Sequence, residues 1–133
     1  MKGRKAEIRP ATEKITLASP PAFFTKDAKA EWRRCAPILN QRRTLTAADL
    51  ASFEAYCIAS GEIREMYRLV QAEGRIIQTE RGPRKHVAVT IMEKAMQTAR
   101  QYASELGLTP VSRSRPAIRN DDNEDEDVSA LGI

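Results

Sequence analysis

Short clusters of arginine and lysine are the residues of this sequence whose type and spacing suit a chemical task. Clustered cations bind phosphate oxygens through charge-assisted hydrogen bonds. No aromatic side chains alternate with them, which favours the backbone of duplex DNA over the stacked bases of a single strand. The predicted DNA-binding residues are Lys2, Arg4, Lys5 and Arg9, then Arg42 and Arg43, then Arg81, Arg84 and Lys85, and finally Arg113, Arg115 and Arg119.

Catalytic chemistry has no comparable set of residues. His86 is the only histidine, and it follows Arg84 and Lys85 in a basic segment without a carboxylate to orient it as a base. The glycines do not form a phosphate-cradling loop. Cys35 and Cys57 fall in helical apolar patterns and are predicted to be reduced core residues. The sequence therefore predicts a non-enzyme with no catalytic residue, no metal site and no cofactor.

The charge is divided unevenly along the chain. The formal net charge is +4, from 22 basic and 18 acidic residues among 133. Six of those acidic residues lie between Asp121 and Asp127, so residues 1–120 carry 22 basic against 12 acidic residues, a net of +10. A body this basic suits a polyanionic partner.

Three amphipathic helices are predicted around the apolar positions. Thr25 is the expected N-cap of the first, which buries a stripe around Trp32 and, kinked by Pro37, ends near Asn40. Thr46 and Asp49 predict a capping box that begins a second helix ending at Gly74. The third is expected over residues 88–106, with Met92 and Met96 on its apolar face, as buried core residues or, alternatively, as an adaptable contact between subunits, and Gly107, Leu108 and Pro110 close it.

Between the second and third helices, the sequence predicts a small β-hairpin. Ile76 to Thr79 is β-branched, Arg81-Gly82-Pro83 is a turn signal, and residues 84–87 return as the second strand. The fold class is thus mainly α, a unit of about three helices with a hairpin. We expect a flexible basic arm at 1–21, a core at 22–110, and a flexible tail at 111–133, basic and then acidic.

A helix-turn-helix arrangement would place the helix after Thr46 in the major groove. Its early face offers Asp49, Ser52 and Glu54, so carboxylates would lie near phosphates and no long donor would reach a base edge. Arg42 and Arg43 in the preceding connection suit phosphate contacts alone.

Several of these features occur together in one known family. Trp32, the helix start Leu45-Thr46-Ala47-Ala48-Asp49, the pair Tyr56-Cys57, and the ending ASELGLTPVSRSR over residues 103–115 make the chain similar to the small terminase subunits of tailed double-stranded DNA phages. The resemblance covers residues from about Pro21 to Arg115.

The resemblance implies a ring-shaped homo-oligomer that binds viral double-stranded DNA at the packaging site. It also implies that the protein recruits or stimulates the large terminase subunit, which carries the ATPase and nuclease activities. Family members contact the large subunit through C-terminal segments, so the resemblance implies Leu131 and Ile133 as partner-binding anchors; the alternative is that the acidic run before them competes with DNA for the basic clusters. No secretory signal or membrane span is recognised, and the host cytoplasm is the expected location.

Two other classes of protein stay open from the sequence. A transcriptional regulator would form a dimer on a palindromic operator rather than a ring. A pure assembly adaptor would join other packaging proteins without touching DNA. A content of 41% hydrophobic but only 5% aromatic residues gives a thin core, which favours self-association in any of these classes.

Overall fold

The computed structural model describes residues 13–110, and these form three helices and one two-stranded antiparallel sheet. The predicted mainly helical fold with a hairpin is confirmed. The elements are α1 (Lys26–Arg42), a 3₁₀ turn (Ala47–Asp49), α2 (Leu50–Glu73), β1 (Ile76–Thr79), β2 (Gly82–Lys85) and α3 (Val87–Glu105).

Side-chain and backbone caps fix where the helices begin and end. The Thr25 hydroxyl accepts the Ala28 N–H at 3.3 Å, which confirms the predicted start of α1. The Asp49 carboxylate accepts from the Thr46 N–H at 2.9 Å and from its hydroxyl at 2.8 Å, just before α2.

After α3, Gly107 has φ 69°. Its N–H reaches the Ser104 carbonyl at 3.2 Å, and the Leu108 N–H reaches Ala103 at 2.8 Å. This is the Schellman pair of bonds that the residues after Ala103 predict.

The core lies between α1 and α2 and is closed by the second half of α3. A chain of aromatic contacts crosses it, from Phe24 through Trp32 and Phe53 to Tyr56, with ring centroids 4.7 to 6.5 Å apart. Gly61 lets the two helices approach closely, because a Cβ at that position would lie 2.7 Å from the Ala28 nitrogen.

Two helix predictions need correction. α1 continues past Pro37 to Arg42, two residues beyond the predicted end. Arg43 then ends it in the left-handed conformation, with φ 54°. Met96, predicted to be buried, is 42% exposed, because α3 presents Ala95 and Ala99 to α2 instead.

Residues 13–21, assigned to the flexible arm from the sequence, pack on the helical body. Leu17 is buried and exchanges two hydrogen bonds with the Asn40 side chain, at 2.7 and 3.0 Å. The Trp32 indole donates to the Ala18 carbonyl at 2.8 Å. The packed part of the chain thus begins before Pro21, because Leu17 supplies an apolar anchor that the polar composition around it concealed.

Within residues 13–110, none of the helices is long and apolar enough to cross a membrane.

Candidate nucleic-acid interface

The β-hairpin presents the central cluster of predicted DNA-binding residues. Its strands pair from Ile76 with Lys85 to Thr79 with Gly82, which leaves a two-residue loop of Glu80 and Arg81. Gly82 has φ 98°, a value that favours glycine. The turn therefore lies one residue earlier than predicted, and Pro83 belongs to β2. Proline is tolerated there because each strand of a two-stranded sheet has a free edge.

The base of the hairpin is held by His86, which joins the two helices that flank it. Its backbone N–H donates to the Arg75 carbonyl at 2.7 Å, and its Nδ1 accepts the Ala88 N–H at 2.9 Å as the N-cap of α3. Nδ1 is therefore unprotonated in this arrangement, and the hydrogen-bond pattern assigns the proton to Nε2, which donates to Glu73 Oε2 at 2.6 Å.

Glu73 corrects the prediction that His86 lacks a carboxylate to orient it. The partner lies thirteen residues earlier, at the end of α2, and only the return of the hairpin brings it close. The pair fixes the exit and entry angles of the hairpin strands. With one ring nitrogen bound to a backbone N–H and the other to a carboxylate, His86 positions the hairpin.

The hairpin cations point in different directions. Side chains alternate across a strand, so Arg84 shares a face with Ile77, whereas Lys85 shares the opposite face with Ile76. Arg81 lies in the loop, and all three are exposed. Arg75, which sequence reasoning missed although it borders the predicted strand, adds an exposed cation at the base.

Lys85 differs from its neighbours because a carboxylate already contacts it. Its Nζ lies 3.2 Å from Glu93 Oε2 on α3, with both side chains more than half exposed. Such surface pairs contribute about 0–1 kcal/mol, so a phosphate can compete for this lysine. Within the described range, Arg75, Arg81 and Arg84 form no ion pair.

Arg42 and Arg43 lie at the other end of the helical body. Arg42 is half-buried and donates to the Gly107 carbonyl at 2.6 Å, so it also closes the end of α3. Arg43 is exposed. The 19 residues of α3 separate this end from the hairpin; at the helical rise, that is about 28 Å. The structure therefore does not bring the two clusters together.

Glu31 is a buried polar residue that sequence reasoning missed. Glu31 lies in the second turn of α1 and is only 3% exposed. Arg64 donates to its Oε2 at 2.6 Å, and Arg34 Nε and the Cys35 thiol donate to its Oε1 at 2.7 and 3.1 Å. Its position three residues after Ala28 and four before Cys35 places it beside the buried stripe, and that spacing was the available signal.

This cluster is the densest polar group of the described chain, and its ionisation states are those of a structural site. Burial alone would raise the pKa of Glu31, but hydrogen bonds from Arg34 and Cys35 and the nearby arginine charges lower it below its ordinary value. Burial and the Glu31 hydrogen bond raise the pKa of the Cys35 thiol to about 12, and burial also raises that of Cys57. Neither thiol is an activated nucleophile at neutral pH.

In the segment from 13 to 110, no three histidine, cysteine or carboxylate side chains come together as metal ligands.

The remaining predicted site residues lie outside the described residues. They are Lys2, Arg4, Lys5 and Arg9, then Arg113, Arg115 and Arg119, and the anchors Leu131 and Ile133. The described chain does show where these segments join it. The Glu13 carbonyl accepts from Ala47, and Gly107 is bound by Arg42, so both junctions lie at the end that carries Arg43.

Comparison with known proteins gives one match. The sequence family described as phage terminase, small subunit, matches residues 28–123. No curated protein and no solved structure matches the chain.

Proposed function

Because the chain belongs to the phage terminase small subunit family, which gives it a role in phage DNA packaging, we propose that it binds viral double-stranded DNA at the packaging site. It does so as a non-catalytic ring in the host cytoplasm and recruits or stimulates the large terminase subunit. The observation that carries this proposal is the family match over residues 28–123, which covers α1 from its third residue and all of α2, the hairpin and α3.

The hairpin is the proposed contact to DNA within the described residues. A two-stranded ribbon fits the major groove of B-DNA, which is about 12 Å wide. Arg84 and Lys85 lie on opposite faces of the ribbon, which supports the proposal that they contact phosphates on the two sides of a groove. Arg75 adds an exposed positive charge at the base of the hairpin, and Arg81 adds another in its loop.

A second contact is proposed at the opposite end, where Arg43 and the junctions of the two terminal segments lie. The predicted cations of residues 2–9 and 113–119 belong to the segments that join the chain at this end. Phosphate contacts of this kind are weak individually and independent of base sequence. Repetition around a ring makes them effective when the subunits engage one duplex together.

Salt-dependent DNA binding tests the hairpin contact. Arg81→Gln and Arg84→Gln should each weaken duplex binding on all sequences, and the double variant should lower the salt slope by about one unit for each phosphate that a subunit no longer neutralises. Arg100→Gln is the matched control, since it removes one exposed cation from α3. Unchanged affinity in the double variant would remove the hairpin from the DNA interface.

Recruitment of the large subunit is proposed to use Leu131 and Ile133. Replacing both with serine should abolish stimulation of the large subunit's ATPase and leave DNA affinity unchanged, because no cation is altered. Stimulation at the original level would show that the anchors lie elsewhere. Light scattering of the unaltered protein should give several times the 14.9 kDa chain mass, whereas a dimer on a palindromic site would favour a regulator.

A further inference from the structure

One side of α2 carries carboxylates and apolar side chains that neither α1 nor α3 covers. Glu54, Ile58, Glu62, Glu65 and Leu69 follow one another at spacings of four, four, three and four residues, so they share a helix face. We name these five residues the acidic ridge. Ile58 is 46% exposed and Leu69 is 36% exposed, although both are large apolar residues.

Apolar grooves flank the acidic ridge on both sides. The groove toward α1 is lined by Phe23, Phe24 and Ala28, and Phe23 is 74% exposed. The groove toward α3 is lined by Ala55, Ile91 and Tyr102, and Ile58 and Glu62 border both grooves. A ridge between two grooves is a shape that accepts the side-chain rows of another helix.

The carboxylates of the acidic ridge differ from those between α1 and α2, which are paired. Asp27 and Glu31 bind Arg68 and Arg64. Within residues 13–110, Glu54, Glu62 and Glu65 form no ion pair. A negative surface around exposed isoleucine, leucine and phenylalanine disfavours DNA as its partner and favours a cationic surface.

α1 carries such a surface beside its buried stripe. Lys26, Lys29 and Arg33 are spaced by three and four residues, about one turn apart, so they share one side of α1, where Lys26 and Arg33 are exposed and Lys29 is half-buried beside the buried stripe. We name these three cations the basic stripe. They too form no ion pair within the described chain. Glu62 and Glu65 repeat at the same one-turn interval, so the two surfaces are opposite in charge and similar in spacing.

We infer that the acidic ridge of one copy of this chain docks on the basic stripe of the next copy. The inference rests on the proposed assembly and names the two surfaces that build it. The acidic ridge lies on α2 and the basic stripe on α1, so each copy can offer its ridge to one neighbour and its stripe to another, which is a heterologous contact. A heterologous contact closes into a ring when its rotation allows. The apolar centre supplies affinity and the surrounding charges fix register.

Charge reversal tests the pairing of the surfaces. Glu62→Lys/Glu65→Lys makes both surfaces positive, and Lys29→Glu/Arg33→Glu makes both negative, so each variant alone should fall to the mass of a monomer in light scattering. An equimolar mixture should reassemble, because a reversed ridge meets a reversed stripe and a native ridge meets a native stripe. The chain with all four changes should assemble alone.

Controls separate folding from docking. Each variant should keep the helical circular dichroism of the unaltered chain, since none of the four side chains is buried. Arg100→Glu and Glu105→Lys on α3 make comparable charge changes outside both surfaces and should keep the original mass. Phe23→Ala and Ile58→Asp should weaken assembly by tenfold or more without reversing any ridge or stripe charge.

Three results would overturn the inference. Charge-reversed variants that keep the original mass would leave the ring intact but assign it another interface. If Lys29→Glu/Arg33→Glu loses DNA affinity but keeps the original mass, the basic stripe contacts DNA and not a neighbouring copy. A monomeric unaltered chain would remove both the interface and the ring, while salt-dependent DNA binding would still test the rest of the proposed function.

Discussion

At the scale of single residues, Glu31 has the most interactions to lose. Its carboxylate is buried and accepts from Arg34, Cys35 and Arg64, whereas the two arginine side chains remain 58% and 38% exposed. If the Glu31 charge is removed, Arg34 and Arg64 both remain in contact with water. Its loss should therefore cost less than the 3–5 kcal/mol of breaking a pair whose surviving charge is buried.

Glu31→Gln should lower the free energy of unfolding by about 1–3 kcal/mol, because an amide cannot accept from Arg64 and Arg34 with the same strength. Urea denaturation at fixed protein concentration measures it. Glu105→Gln, on the exposed end of α3, is the matched control and should change stability by less than about 0.5 kcal/mol. A Glu31→Gln variant as stable as this control would show that the cluster is dispensable.

The same carboxylates predict acid sensitivity. The hydrogen bond from Arg68 lowers the pKa of Asp27, and the arginine and thiol donors lower that of Glu31 against the effect of burial. A pKa that is lower in the folded state contributes stability above its unfolded value, near pH 4, and that contribution is lost as the pH falls further. The unfolding free energy should therefore drop below about pH 4. Glu31→Gln should drop less steeply, and an equal slope would assign the acid sensitivity elsewhere.

At the scale of the elements, the parts of the fold that depend on near neighbours in sequence were predictable. Thr25, the Thr46–Asp49 pair and Gly107 mark helix ends through bonds that span only a few residues. The docking of Leu17 on Asn40 and the pairing of Glu73 with His86 were not predicted. Both join residues that only the folded chain brings together, and no periodic pattern marks them.

The same distinction between local and tertiary features applies to the candidate nucleic-acid interface. The cations of the hairpin were found from their clustering, since charge is visible in any sequence. Their division between the two faces depends on the strand register, which a one-residue shift of the turn reverses. Arg42 was assigned to phosphate, but its bond to Gly107 joins α1 to the end of α3, a contact of tertiary structure.

Close helix packing at Gly61 gives a prediction for the α1–α2 contact. Alanine should improve helix propensity by about 1 kcal/mol, but its Cβ would overlap the backbone of Ala28, and overpacking costs about 1–3 kcal/mol. Backbone cannot move aside as a side-chain tip does, so Gly61→Ala should be destabilising overall, by up to about 2 kcal/mol. Thermal unfolding measures it, with Gln71→Ala on the exposed part of α2 as the control; a stabilised Gly61→Ala would contradict the packing.

The base of the hairpin gives a second prediction at this scale. His86→Ala removes both the N-cap of α3 and the bond to Glu73, and should cost about 1–2 kcal/mol. His86→Asn keeps a capping oxygen but cannot reach Glu73, so it should restore α3 and leave the hairpin loose. Amide hydrogen exchange in residues 76–85 should be faster in both variants than in the unaltered chain. Equal protection in His86→Asn would show that Glu73 does not hold the hairpin.

At the scale of the whole molecule, the predicted effect of the charges on DNA binding depends on where they lie more than on the net charge. The hairpin lies at one end of the body, and the chain enters and leaves at the other, beside Arg43. Along the sequence, the chain continues from the end that carries Arg43 to the predicted arginines of residues 113–119, and the acidic run of residues 121–127 follows them. We expect this acidic run to compete with DNA for the cations, because a polyanion on the same chain has a high effective concentration.

Deleting residues 121–133 should therefore tighten non-specific duplex binding by about two- to tenfold at low salt, and the gain should fade as salt screens the competition. The matched control keeps the length and replaces the six carboxylates between Asp121 and Asp127 with their amides, which should reproduce the gain in affinity. Because this control retains Leu131 and Ile133, it should also keep stimulation of the large subunit, whereas the deletion should lose it. If DNA affinity at low salt is the same in all three proteins, the acidic run does not compete with DNA for the basic surface.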